Sequence, residues 1–356
     1  MSRPFYDIAT DAGSLRFNAG IGNLPALSFA GLAHPPLHSA PWLDDDAIRQ
    51  DASLLPVERQ LAGDFFCAPF GASDLNDAPA HGWSANSGWT VDAVGSGTLR
   101  ASLDKAIMGA RLTKKLKLAD NAPLLYQEHF IDGGAGELTA AHHPMVRFQE
   151  TARLCVSPKQ RWLAPDQALD HGRNLLAPGQ QSTASNQFPT ADGGTVDLTG
   201  LPIADAHEDF VTAIEQDRDR LGWTAIIRHA EDDIVFFLKD PKILPVTMFW
   251  HSNAGRDYQP WAGRHRNVLG IEDGCAAGAA GHKAALAGNP IKQLGVPTAL
   301  ALGGHIRIAH VTGAIRRPHT WQRVAQISIQ GDQLSLQGDN GETVSLPFIA
   351  GFFAEK

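Results

Sequence analysis

Apolar and polar positions alternate along much of the chain. Between residues 98 and 131, Leu112, Leu116 and Leu118 fall on one side of an extended backbone, while Arg111, Thr113, Lys115 and Lys117 fall on the other. A period of two marks half-buried strands. The pattern repeats over 124–131, and Gly133-Gly134-Ala135-Gly136 then turns the chain into 138–148. An apolar run from Gly63 to Gly71 predicts another strand, followed by a loop through Asn76, Asp77 and Pro79 into His81-Gly82-Trp83. Further strands are predicted at 223–229, 234–238, 246–250 and 268–271, and then at 306–311, 324–329, 334–337 and 343–348. Gly331-Asp332 and Asn340-Gly341 have the composition of hairpin turns. Residues 210–221 fit either a short helix or a strand with a charged turn, 157–186 reads as polar excursions, and 278–303 has room for one short helix. Residues 1–50, broken by Pro25, Pro35, Pro36 and Pro41, read as edge strands and cover.

Many strands with few crossover helices predict stacked antiparallel sheets over a doubly wound parallel sheet. No repeat, low-complexity tract or linker divides the chain. The expectation is therefore an all-β protein, one large antiparallel β-sandwich domain spanning 1–356.

Composition narrows the function. Charged residues make up 19% of the chain, against a typical quarter, and 35 Gly with 22 Pro fit a turn-rich fold. The net charge of -8, without a basic block, leaves no footprint for nucleic acid. No leader pattern opens the chain and no apolar run reaches membrane-spanning length, which predicts a soluble, cytoplasmic protein. Cys67, Cys155 and Cys275 form no Cys-x-x-Cys pair and read as small buried residues in a reducing compartment. There is no nucleophile elbow, phosphate-binding loop or dinucleotide fingerprint, so serine hydrolysis, ATP-dependent phosphoryl transfer and hydride transfer lack support, and no cofactor is predicted.

Three segments carry candidate chemistry. In Val268-Leu-Gly-Ile-Glu-Asp-Gly-Cys275 a short strand ends in Glu272 and Asp273 and is stopped by Gly274, a rigid mount for a general base. The plain alternative is a strand-ending turn. Just upstream, Trp250, His251, Trp261, Arg264, His265 and Arg266 have the composition of a polar-ligand cleft. His142 and His143 lie in an apolar strand, so only one of them faces a cleft. A histidine there suits proton transfer, or else it is a core residue satisfied by backbone groups. A zinc site is disfavoured, because successive strand positions diverge and no second ligand pair completes a set. His81, Trp83 and Asn86 combine an aromatic face for a sugar ring with hydrogen-bonding groups for hydroxyls. The same loop also reads as a plug at the end of a sandwich.

The order of these pieces, a strand ending in Pro-Phe, a His-Gly loop, a strand histidine and a Gly-Ile-Glu segment, resembles the aldose 1-epimerase (galactose mutarotase-like) superfamily over roughly residues 60–275. The resemblance implies a β-supersandwich and a cofactor-free reaction at the anomeric carbon of a small-molecule carbohydrate. It implies His143 as general acid, Glu272 as general base and His81 as a substrate-binding histidine. His142, Trp83, Asn86, Trp250 and Arg264 complete the expected binding set, in a monomer or homodimer. The chain departs from the family pattern in two places. Trp83 stands where the family has a second glycine, and Pro69-Phe70-Gly71-Ala72-Ser73 lacks the family's sugar-binding arginine. Arg264, Arg266 and Arg147 are candidate replacements, and Asp205 and Asp209 are candidates for the sugar-binding aspartate. Two alternatives stay open: a non-catalytic sugar-binding sandwich, and a sugar-cleaving enzyme with a second carboxylate about 5–9.5 Å from Glu272. Asp273 is a poor partner, since adjacent strand residues point apart.

Overall fold

The structure, a computed structural model, describes residues 4–72, 74–75 and 78–354. Ser73 of the Pro-Phe segment, Asn76 and Asp77 of the predicted loop and the first three residues lie outside them. Among the described residues two large sheets have eight and nine strands. The first runs through strands 181–182, 159–163, 207–215, 246–253, 268–275, 140–142 and 66–67, and strand 145–147 also pairs with 268–275. The second runs through 200–201, 152–156, 222–228, 233–239, 305–316, 124–133, 110–118, 98–103 and 89–95. Neighbouring strands in both sheets pair antiparallel.

Strands 246–253 and 268–275 are buried at every position, which explains why their sequences lack alternation. On the inner face Val211, Phe249, Leu269 and Ile271 pack against Val235, Phe237, Ile308 and Ala314 of the second sheet. On the outer face Phe210, Met248, Trp250 and Val268 are covered by Trp42, Ile48, Val57, Phe65 and Trp261. The second sheet carries another apolar layer on its far side, where Trp321, Leu334, Leu336 and Phe348 belong to a three-stranded C-terminal sheet and its flanks.

Several expectations are refined. Strands within residues 5–29 form their own three-stranded sheet instead of extending a main edge, while Ile48 and Val57 on short helices supply the cover. Residues 207–215 are strand, and 278–303 holds two short helices, His282–Leu286 and Pro290–Gln293. The three cysteines are free and buried. No helix of the described residues is long and apolar enough to cross a membrane.

Between the two large sheets lies a seam of charge. The first sheet and its lead-in contribute Asp64, Glu215 and Asp273, and the second contributes Lys114 and Lys239, all 4% exposed or less. Lys239 Nζ stands 3.0 Å from Asp273 and 3.1 Å from Glu215, and Lys159 also pairs with Glu215. Burial pushes both Lys114 and Lys159 down to about 8. Burial works to raise Asp64, yet His142, His310 and Gln127 outweigh it and bring the carboxyl down to about 2. Charges that leave water in this way persist only when they are paired and hydrogen-bonded.

Candidate active site

Two strand ladders set the geometry. Ala140 and Ala141 pair with Cys275 and Gly274, and Met145, Val146 and Arg147 pair with Gly270, Leu269 and Val268. Both ladders keep one register, which places His143 opposite Glu272 and His142 opposite Asp273. Strand alternation then sends one histidine and one acid to each face. On the outer face His143 Nε2 is 2.9 Å from Glu272 Oε1. The His143 N–H donates to Phe65 O at 2.9 Å and Asp64 Oδ1 at 3.1 Å, and the Phe65 ring stacks on the imidazole with centroids 4.4 Å apart. Glu272 is in mid-strand, not at a strand end as expected: the strand runs through Gly274 to Cys275. Gly274 is required there by close packing, because a Cβ would lie 2.7 Å from that of Ala141. Gly270, the next outer-face position on the other side, leaves backbone beneath Trp250, and a Cβ there would stand 3.2 Å from Trp250 Cβ and 3.4 Å from Glu272 Oε1.

His81 joins this pair. Its ring stands edge-on to His143 at 5.4 Å, and its Nδ1 is 3.6 Å from Cys67 Sγ. The residue sits at φ 66°, a left-handed conformation that is strained for a histidine and typical of functional loops. Although it is partly exposed, enough protein surrounds it that desolvation, with His143 and Arg256 nearby, pushes its pKa down to about 3. It is therefore a neutral hydrogen-bonding group near pH 7. Asn86 holds the loop in shape: its Nδ2 donates to Ala80 O at 2.9 Å and Gly82 O at 2.8 Å, and its Oδ1 accepts the Val57 N–H at 3.2 Å. The Lys105 ammonium lies 3.3 Å over one face of the Trp83 ring.

Trp250 forms the opposite wall, 6.0 Å from the His143 ring. Its Nε1–H donates to Glu208 Oε2 at 2.8 Å, the Ser252 hydroxyl donates to Glu208 Oε1 at 2.6 Å, and His265 stacks on the indole at 5.1 Å. Burial raises the Glu208 carboxyl, against the pull of Arg256, Ser252 and Trp250. The Arg256 guanidinium lies 4.5 Å from the Trp261 ring and 5.5 Å from that of Trp250, with Nε 3.9 Å from Glu208 and 3.4 Å from Asp170. Its side chain is 15% exposed, so it reaches both the wall and solvent.

The other predicted residues lie elsewhere. Arg264 is exposed and donates to Pro260 O at 3.0 Å, and Arg266 donates to Gly263 O at 2.9 Å. Arg147 is exposed at the far end of its strand, and His251 faces inward, its pKa pushed down to about 3 by burial. Asp209 is spent on the Leu175 and Leu176 N–H groups and His207, while Asp205 is exposed in a loop. Glu208, between them in sequence, is the outer-face acid that the sequence reading missed. Its Cα lies two strands and four residues from that of Glu272, about 17 Å away by strand geometry. His142 turns to the inner face, where burial and then His310 push its pKa down to about 4 against the pull of Asp64. It belongs to a group of possible metal ligands, with donor atoms of Asp64, His142 and His310 all within 4.8 Å. The two imidazoles stack 4.1 Å apart at 15°, however, so their in-plane lone pairs do not converge on one ion.

His143 and Glu272 are each only 3% exposed. No protein-family model and no curated protein matches the sequence. Solved structures do match. A candidate aldose 1-epimerase from Escherichia coli K12 superposes with a TM-score of 0.60 at 13% identity, over 88% of this chain and 99% of that one. A galactose mutarotase related enzyme from Lactobacillus acidophilus gives 0.55 at 9% identity, over 89% and 99%. A galactose mutarotase-like protein from Lactobacillus casei gives 0.53 at 12% identity, over 88% and 100%. With two antiparallel sheets in this order and alignments that span almost the whole of those chains, this protein has the galactose mutarotase-like fold.

Proposed function

We propose that this protein is a carbohydrate epimerase that interconverts sugar anomers by opening and reclosing the ring at C1. The observation that carries the reading is the outer-face pair, His143 Nε2 and Glu272 Oε1 at 2.9 Å, with His81 beside it. His143 gives its Nε2 proton to the ring oxygen while Glu272 takes the proton of the C1 hydroxyl. The ring opens, the aldehyde turns about C1–C2, and the two transfers run backwards on the other face. Each group ends as it began, so no cofactor is needed. We place the enzyme in the cytoplasm as a monomer or homodimer acting on a small carbohydrate.

Arg256 stands in this reading for the arginine missing after Phe70, supplied from a different loop. Arg256→Gln is expected to raise KM about ten- to hundredfold with kcat little changed, the loss of a charged hydrogen bond made equally in ground and transition states. Steady-state kinetics checks it, and a fall in kcat alone would move Arg256 out of the binding role.

A second reading, a non-catalytic sugar-binding protein, is favoured by the burial of both groups and by their direct contact, which occupies the space between acid and base. NMR exchange spectroscopy on a panel of aldoses separates the two. Acceleration of anomer exchange for at least one sugar supports the epimerase. Calorimetric binding without acceleration supports the second reading, and neither result leaves both without support. Sugar cleavage by an adjacent acid pair is disfavoured, because Asp273 faces inward, away from Glu272.

A further inference from the structure

The reverse side of the His143–Glu272 rung is a second histidine–acid rung, His142 opposite Asp273, and one residue of the other sheet holds both of its members. His310 donates its Nε2–H to Asp273 Oδ2 at 3.0 Å and lays its ring on that of His142. His142 Nδ1 faces Asp64 Oδ2 at 3.5 Å, and the other oxygen of Asp64 accepts the His143 N–H. The residues next to the acid and next to the base are therefore tied at one point. The tie matters because the ladder lapses there. Regular pairing with strand 268–275 stops at Ala141 and resumes at Met145, and in between the Ile271 N–H donates to Pro144 O at 2.8 Å, while the His143 N–H is turned away toward Phe65 and Asp64. Neither ring nitrogen of His142, nor Nδ1 of His310, has another hydrogen-bond partner, so the stack and the one bond to Asp273 are what connect the two strands from behind.

We propose that His310 is a positioning residue that sets the separation and facing of His143 and Glu272 from the opposite side of their sheet. Its kinetic consequence rests on the epimerase reading, while its structural consequence does not. His310→Phe keeps a ring for the stack and removes the donor, whereas His310→Gln keeps a donor of similar reach. H310F is expected to lower kcat about ten- to hundredfold with KM within about twofold, the cost of misplacing groups that act only in the transition state. It should also shift the imidazole ¹⁵N signals of His143 in histidine-labelled protein without sugar. H310Q should stay within about threefold of the parent in kcat and keep those signals. Folded H310F with unaltered His143 signals and kcat overturns the proposal, and so does H310Q as impaired as H310F, which would leave only packing. Should H310F fail to fold, D273N weakens the same bond and carries the same expectations for kcat and for the His143 signals. If the parent protein accelerates no sugar, the epimerase reading falls and the imidazole signals alone decide the role of His310.

Discussion

Glu272→Gln is expected to slow anomer exchange by about 10²–10⁴-fold while leaving sugar affinity and folding close to those of the parent. The amide has the size of the carboxylate, still accepts the Nε2–H of His143, and sits on a strand buried at every position, so the wall around it has no reason to move. What it lacks is an acceptor basic enough to take the C1 hydroxyl proton. Polarimetry gives the rate, calorimetry the dissociation constant and thermal unfolding the fold. A parent-like rate in E272Q removes Glu272 as the base, and a loss of rate that merely tracks a loss of affinity assigns it to binding.

The largest expected effect on stability comes from the seam. Lys239→Met should cost about 3–5 kcal/mol, because it removes the cation shared by Asp273 and Glu215 and leaves the buried Asp273 with Thr247 and His310 as its side-chain partners. Glu215 keeps Lys159, so the damage centres on Asp273. Urea unfolding measures it as a lower midpoint at unchanged slope. Combining K239M with D273N should cost less than the sum of the single changes, since the second removes the charge that the first strands. A loss below about 1 kcal/mol would place this pair among surface-like contacts and contradict the seam.

Much of this was legible in the residue pattern. The adjacent His142 and His143, and the adjacent Glu272 and Asp273, had to divide between two faces once they were assigned to strands, and they do. The seam also left a trace. Lys114 falls in phase with Leu112 and Leu116, Lys239 with Val235 and Phe237, and Asp273 with Leu269 and Ile271. A charge in the apolar phase of a strand is a charge in the core, and reading each strand for its majority pattern passes over it. Arg256 was not legible, because three arginines lie between 256 and 266 and loop geometry alone separates the one over the tryptophans from the two that bind their own turn. The bonds of Asn86 to backbone carbonyls and the Lys105 ammonium over one face of Trp83 were not legible either, because they depend on how the loop folds back on itself and on a lysine further along the chain.

Gly270 gives the architecture a point of leverage. Because the space above it is filled by an indole and not by its own side chain, a single added methyl group there would press on Trp250, and through the indole N–H on Glu208, with Arg256 resting against the same ring. The shape of the wall beside His143 and Glu272 is thus adjustable from a backbone position that carries no side chain of its own, and under the proposed epimerase function the fit of sugars of different bulk would be tuned there without touching either member of the pair.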